Sequence, residues 1–284
     1  MSPRSDGLSN ADMSRLCELI YAESGIKLTP DKRIMLEMRL KRRLQELEID
    51  SYGEYCDFLF TGHHQDQEIV HLIDVVTTNK TDFFREGGHF EVLAKTVLPE
   101  YRTSSAAGRE FRVWSAGCST GEEPYTLAMV LQQFSESNQG FRFKVLATDI
   151  SNTVLAKAEK GVFTSEVVRP VPADLRRKYF MRSRDPNSHL VRVIPELRTA
   201  IEFRRLNLME EFGLTELMDA IFCRNVIIYF DRPTQERLLN RMSRQLVPGG
   251  YMFMGHSEAL HNMDIPLTAV APALYRKQSD GSRA

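Results

Sequence analysis

At 284 residues with 42% hydrophobic content, the chain has room for one large domain, or a small one joined to a medium one, and enough apolar mass for a real core. A net charge of −1 and a pI near 6.7 exclude a global pull towards nucleic acid or anionic membrane, so any charged partner must be met locally. No run reaches transmembrane length, MSPRSDGLSN lacks the apolar core of a signal peptide, and Cys17, Cys56, Cys118 and Cys223 form no CxxC pair; neither a disulfide framework nor a zinc site is indicated, and a cytoplasmic location is expected.

In chain order, residues 1–10 are polar. Residues 11–75 repeat apolar positions at helical spacing, broken at Gly25, Pro30, Gly53 and Gly62, and predict a set of short helices. After TTNKTDFFRE (77–86) the pattern changes. FRVWSAG (111–117) predicts a buried strand, EEPYTLAMVLQQF a helix, and FKVLATDI (143–150) a second strand. IEFRRLNL (201–208), MDAIFCRNV (218–226), a helix over TQERLLNRMSRQL and the strand YMFMG after a Pro-Gly-Gly turn continue the alternation, with ALYRK expected as a last edge strand. Strands alternating with helices predict an α/β fold with a parallel, doubly wound sheet. Residues 161–200 fit this poorly. VFTSEVV and HLVRVIPEL read as short strands around a helix at ADLRRKYF, so a small insert is expected, either offering an edge to a peptide strand or simply solvated.

The turn AGCSTGEEPYT (116–126) poses the chemical question. A dinucleotide site wants G-x-G-x-x-G, but only Gly117 and Gly121 are present. A phosphate loop wants Lys and Ser/Thr after its second glycine, and Glu122 and Glu123 stand there instead. Two acids at a helix start repel a pyrophosphate and suit a ligand bearing an ammonium or a sulfonium; S-adenosylmethionine carries both. A purely structural alternative exists, since Thr120-x-x-Glu123 matches a capping box. Asp149 ends the second strand, where it can accept from ribose hydroxyls or cap the helix that follows. Arg224, Asn225 and Tyr229 follow an apolar strand, at the sheet edge where open α/β folds bind ligands. His63, His64 and His71 lack acid or cysteine company at ligand spacing, so no metal site is expected from them.

Taken in order, TTNKTDFFRE, AGCSTGEEPYT, ATDI, CRNVIIYF and VPGG resemble the CheR-type chemotaxis methyltransferases, over nearly the whole chain. The resemblance implies a class I methyltransferase-like doubly wound sheet with a small helical N-terminal domain and an inserted antiparallel β-subdomain. It divides the chain into a docking domain (1–76), a linker contributing to the active site (77–92) and an S-adenosylmethionine-binding domain (93–284) carrying the insert at about 161–200. It implies methyl transfer to glutamate side chains of chemoreceptors in adaptation, with S-adenosylhomocysteine as product. Carried over residue by residue, cofactor contacts fall on Asn79, Thr81, Arg85, Glu123, Asp149, Asn207, Leu208, Arg224 and Asn225, and Arg85 and Tyr229 stand nearest the transferring methyl. Lys80, Asp82 and the Gly87-Gly88 pair depart from the usual family forms. A monomer is expected that is recruited to membrane receptor arrays without inserting, and that binds no nucleic acid.

A glutamate nucleophile, with a reference pKa of about 4.3, is already ionised at neutral pH, so the reaction needs alignment and desolvation and no general base. For docking, KLTPDKRIMLEMRLKRRL (27–44) is expected to place Lys32, Arg39 and Arg43 on one helix flank, beside an apolar stripe of Leu36, Leu40, Leu44 and Leu47, with Arg42 outermost. Such a basic flank suits the acidic methylation helices of receptors, although a charge run is commonly a solvated face. The competing readings are a small-molecule O-methyltransferase, a non-catalytic protein that binds the cofactor or its product, and, weakest, an NAD-dependent dehydrogenase.

Overall fold

The structure, a computed structural model, describes residues 7–61, 65–104, 108–185, 187–260 and 263–278. Helical periodicity in the first part produces four helices, α1 (Asn10–Ser24), α2 (Arg33–Glu46), α3 (Tyr52–Thr61) and α4 (Gln65–Val76). α1 begins where the Ser9 side chain accepts from the Asp12 N–H, and it stops at Gly25, whose left-handed φ of 71° ends the helix without a Cβ clash. The stripe Leu36, Leu40 and Leu44 is wholly buried against Leu16, Ile20, Tyr55, Leu59 and Leu72, giving the bundle its own core.

The chain then turns through residues 83–87 into α5 (Gly88–Val92), a π-helical turn (Leu93–Val97) and α6 (Leu98–Thr103). The sheet follows with β1 (Phe111–Ala116), α7 (Glu122–Ser137), β2 (Phe143–Asp149) and α8 (Asn152–Lys160). The insert contains β3 (Val162–Thr164), α9 (Ala173–Tyr179), β4 (Phe180–Arg182), β5 (Leu190–Val193) and α10 (Pro195–Thr199). The main sheet resumes with β6 (Ile201–Arg205), β7 (Met218–Cys223), α11 (Arg232–Arg244), β8 (Leu246–Met254), β9 (Leu267–Ala271) and β10 (Leu274–Lys277).

The main sheet has seven strands in the order β6-β2-β1-β7-β8-β10-β9; the first five are parallel and β10 is antiparallel to both its neighbours. Alternate side chains leave on opposite faces. Phe111, Val113, Val145, Ala220, Phe222 and Phe253 fill one core, while Trp114, Leu146, Ile221, Cys223, Met252 and Met254 fill the other. The three-stranded insert, order β3-β5-β4, is antiparallel and separate from the main sheet.

Two expectations are corrected. ALYRK does not form the edge, because LTAVA (267–271) pairs along its far side and becomes the outer strand. Val-Pro-Gly-Gly is not a turn ahead of the strand. β8 starts at Leu246 beside Met218, and its register against β7 shifts after that pair; Gly249, at φ 74°, supplies the backbone the bulge needs. Inside the insert, FMR (180–182) is a strand that the sequence pattern does not predict, its first residue falling in the expected helix ADLRRKYF.

Candidate active site

β1 and β2 run in register to Ala116 and Thr148, so the turn after β1 opens at the carboxyl edge of the sheet. The N–H groups of Gly117 and Cys118 both donate to the Thr148 carbonyl, at 2.8 and 2.9 Å. Gly117 has φ 80°, and a Cβ there would stand 2.5 Å from Val226 Cγ2, so both conformation and space require glycine. Ser119 fixes the rest of the turn: its N–H donates to Asp149 Oδ2 at 2.9 Å and its hydroxyl to the Asn79 carbonyl at 2.8 Å.

The two acids at the start of α7 part company. Glu122 is buried and accepts from Thr120 Oγ1 at 2.7 Å. Glu123 forms no capping box; the cap position is Gly121, with no side-chain cap bond. Its Oε1 accepts from Ser115 Oγ at 2.7 Å and its Oε2 from Arg224 Nη1 at 3.0 Å. The long-range cation has taken the carboxylate that a local rule assigned to the helix end. Burial nevertheless keeps the Glu123 pKa above the ordinary carboxylate value, with Arg224 and Ser115 opposing it.

Arg224 is the hub of the site. Its side chain is 2% exposed, lies 3.2 Å from Glu86 Oε2, and donates through Nη2 to the carbonyl of Arg85. The sheet thereby grips the linker by its backbone and leaves the Arg85 side chain facing the cavity, with one internal bond, to the Lys80 carbonyl at 3.1 Å. Burial pushes Glu86 up, but the Arg224 guanidinium outweighs it and holds the carboxyl below its usual value. Burial and the same guanidinium push His89, behind it, down to about 4.

Asn225 sits at φ 60° with its N–H donating to Glu258 Oε2 at 2.7 Å, and Glu258 also accepts from the N–H groups of Gly255 and Ile228. The buried Glu258 thus pins the loop that carries Asn225 and Tyr229. Sequence reading missed it, although it stands within GHSE, an apolar strand's sudden polar end.

One cavity of about 420 Å3 collects these groups, within the range usual for small-molecule sites. Asn79, Thr81, Arg85, Glu123, Asp149, Asn207, Leu208, Arg224, Asn225 and Tyr229 all line it, as does Lys32. The N-terminal bundle closes one side, with the Lys27 N–H donating to the Tyr229 carbonyl at 2.9 Å and Asn207 Nδ2 donating to the Glu23 carbonyl at 2.7 Å. A larger groove of about 920 Å3 between α1 and α11, lined by Arg237, Arg241 and Arg244 among others, holds none of the expected cofactor or catalytic residues.

The lining fits S-adenosylmethionine. Asp149 is not a helix cap, since Ser151 caps α8. Its two oxygens are instead oriented by the N–H groups of Ser119 and Ser151, leaving lone pairs for ribose hydroxyls. Ile150, Leu206 and Leu208 supply an apolar wall for a base. Asn207 uses its own side chain within the protein, on the Glu23 carbonyl, Glu210 and the Met209 N–H, which leaves its backbone to face the cavity. Burial raises both Asp149 and Glu123. A cationic ligand favours their ionised forms, so by linkage affinity for S-adenosylmethionine should rise with pH through these raised values and level off above them. Calorimetric titration from acidic to neutral pH checks this; a constant affinity would remove the two carboxyls from the binding equilibrium.

The basic flank of α2 needs correction. Arg39 donates to the carbonyls of Val76 and Thr77 and to Thr78 Oγ1, clamping the end of α4 and the start of the linker. Arg43 pairs with the buried Glu68 at 2.6 Å, and Tyr55 donates to the same carboxylate. Both guanidiniums serve the bundle internally, because their partners lie across the fold. Lys32 and Arg42 remain exposed, Arg42 paired with Glu46 at 3.0 Å. His63 and His64 lie outside the described residues, and His71 is exposed on α4.

The geometry agrees with the comparisons. The CheR methyltransferase SAM binding domain matches residues 79–273, and the CheR methyltransferase all-alpha domain matches residues 11–77. The chain belongs to the CheR methyltransferase family. It is similar to the chemotaxis protein methyltransferase of Salmonella typhimurium, 42% identical over 274 residues, covering 96% of this chain and 92% of that one. The Escherichia coli counterpart is 40% identical with 96% and 93% covered, and that of Borreliella burgdorferi 37% with 95% of each. This CheR-family protein therefore uses S-adenosylmethionine. No helix among the described residues is long and apolar enough to cross a membrane.

Proposed function

We propose that this CheR-family protein transfers the methyl group of S-adenosylmethionine to glutamate side-chain carboxylates of bacterial chemoreceptors, forming glutamate methyl esters. The observation that carries this reading is the polarity of the cavity. Glu123 and Asp149, from the start of α7 and the end of β2, line it and favour a cationic cofactor, and Lys27, Lys32, Lys80 and Arg85, contributed by the bundle and the linker, line the same cavity. In this reading a carboxylate entering past the bundle and linker meets these cations and then the sulfonium methyl. A carboxylate oxygen attacks the methyl carbon, the C–S bond breaks with its electron pair going to sulfur, and the sulfonium becomes the neutral thioether of S-adenosylhomocysteine. No proton moves, which agrees with a lining that, among the described residues, includes no histidine.

In this reading Arg85 orients the incoming carboxylate through one fork of its guanidinium. Full neutralisation would stabilise the ground-state anion and slow attack, so a single contact serves better. Tyr229, half-buried on the wall, shapes the approach. The docking face is α2 with the turn before it, but a narrower one than the charge pattern suggests: Lys32, Lys41 and Arg42, with the exposed Ile34 and Met38 between them in sequence. The insert can take a receptor-derived peptide strand, since β3 and β4 are each the outer strand of its sheet.

The test is transfer of labelled methyl from S-adenosylmethionine to membranes bearing chemoreceptors, followed by mild alkali. Label released as methanol establishes a carboxyl methyl ester; alkali-stable label would overturn the carboxylate substrate. Cofactor binding without any transfer would favour the non-catalytic reading. Docking is tested separately. Lys41→Glu with Arg42→Glu should lower the receptor methylation rate about tenfold and leave cofactor affinity unchanged, through loss of charge complementarity at an interface rim. Arg39→Glu should instead weaken cofactor binding, because it releases the linker beside Asn79. Equal behaviour of the two variants would sink the division of labour.

A further inference from the structure

Beside the linker turn, among residues that do not line the cavity, lies a cluster to which methyl transfer assigns no part. We propose that Glu86, His89 and His256 form a binding site for a divalent transition-metal ion of the zinc class. Their ligand atoms all lie within 4.8 Å of one another. His89 Nδ1 is 3.6 Å and His256 Nε2 4.0 Å from the same oxygen, Glu86 Oε2. These separations are too long for hydrogen bonds. They approach the roughly 3.3–3.5 Å between ligands that metal bonds of about 2.0–2.1 Å impose in a tetrahedral site.

Three further observations point the same way. Among the described residues neither ring nitrogen of His89 has a hydrogen-bond partner, and both are buried, while the buried Glu86 Oε2 meets the Arg224 guanidinium at 3.2 Å. His89 is only 4% exposed, so an imidazole has been folded into the interior with nothing of the protein to donate to or accept from. Buried polar atoms left this way call for an ion or a water. Glu86, in the turn before α5 at φ 55°, and His89, in α5, are brought together at 3.6 Å, and the His89 ring meets Phe253 and His256 edge-on with centroids 5.7 and 5.0 Å away. The His256 side chain is 59% exposed, giving an entry path and room for a solvent ligand at the open position.

Two imidazoles and one carboxylate with a free position is a set that zinc and its neighbours accept, whereas magnesium and calcium seek oxygen alone. The Arg224 guanidinium, 3.2 Å from Glu86 Oε2, balances that carboxylate and competes for it. It also makes the site weaker than a closed structural zinc centre. An ion that draws Glu86 towards the histidines loosens its pairing with Arg224, and Arg224 holds the Arg85 backbone. Occupancy should therefore depress methyl transfer, a consequence that rests on the function proposed above while the binding itself does not.

The experiment is titration of the chelator-treated full chain with cobalt(II), followed by displacement with zinc, read by the visible bands of tetrahedral cobalt. One equivalent is expected to bind. His256→Ala, at an exposed position, should weaken it by at least about tenfold, the scale at which even the outer partners of metal ligands matter. His71→Ala should change nothing, and thermal melting of each metal-free variant shows that it is folded. Absence of the bands, or binding undiminished in His256→Ala, would overturn the site and leave a water as the bridge.

Discussion

Arg224→Ala should cost the protein about 3–5 kcal/mol of stability and weaken S-adenosylmethionine binding about 10- to 100-fold. The side chain is 2% exposed and is the cation between Glu123 and Glu86, which are 13% and 15% exposed. Removing it leaves two partly desolvated carboxylates with no counter-charge and frees the Arg85 carbonyl. The loss has a pH signature. Glu123 already has a raised pKa, and without Arg224 it rises further. A buried acid with a raised folded-state pKa is destabilising once ionised, so the deficit should be full above that value and shrink as pH falls through it. Urea midpoints across acidic to neutral pH measure this. A second variant separates charge from packing: Arg224→Met with Glu123→Gln should recover part of the stability but not the cofactor affinity. If the two substitutions are simply additive, the pair is not the organising contact described here.

Arg85→Ala should leave the fold intact and reduce turnover by about 100-fold or more, the scale associated with misplacing a reacting group. The structural cost is small because, among the described residues, the guanidinium makes one internal hydrogen bond, to the Lys80 carbonyl, and its backbone is held independently by Arg224. A urea midpoint shifted by no more than about 0.5 kcal/mol in stability, together with a collapsed rate, places the effect in the reaction. Arg85→Lys should recover only a fraction, since an ammonium keeps the charge and loses the planar fork. A near-normal rate in Arg85→Ala would remove this residue from the reacting centre and shift attention to Lys27, Lys32 and Lys80, lysines lining the same cavity.

Periodicity carried much of the structure into plain view. The leucine stripe of α2 and the apolar runs of β1, β2 and β7 could be read directly, because side-chain direction follows from backbone geometry within a few residues. The insert was visible as an interruption of the strand–helix alternation. At the site, the oddity of two acids where phosphate sites keep open N–H groups was a local signal, and it led to a cationic ligand before any family likeness was considered. The gathering of Asn79, Thr81, Arg85, Glu123, Asp149, Asn207, Leu208, Arg224, Asn225 and Tyr229 around one cavity is consistent with the positions carried over by resemblance.

What the sequence by itself determined was the bundle helices and the main parallel strands, and that two acids stand at the first turn where a phosphate site keeps its N–H groups open. Tertiary structure alone decided who partners whom. Thr120-x-x-Glu123 satisfies a local capping rule, yet Arg224, brought from the end of β7, takes Glu123 instead. Arg39 and Arg43 share a helix flank by spacing, but carbonyls at the end of α4 and the carboxylate of Glu68 turn both inward. ALYRK has the composition of any strand, and only the pairing of β9 beyond it makes it interior. Glu86, His89 and His256 form a cluster only once α5 packs beside the end of β8. Local geometry is written in intervals of two and three to four residues. Charge pairing and edge closure depend on residues that chain folding brings together from afar, and no spacing rule reaches that distance.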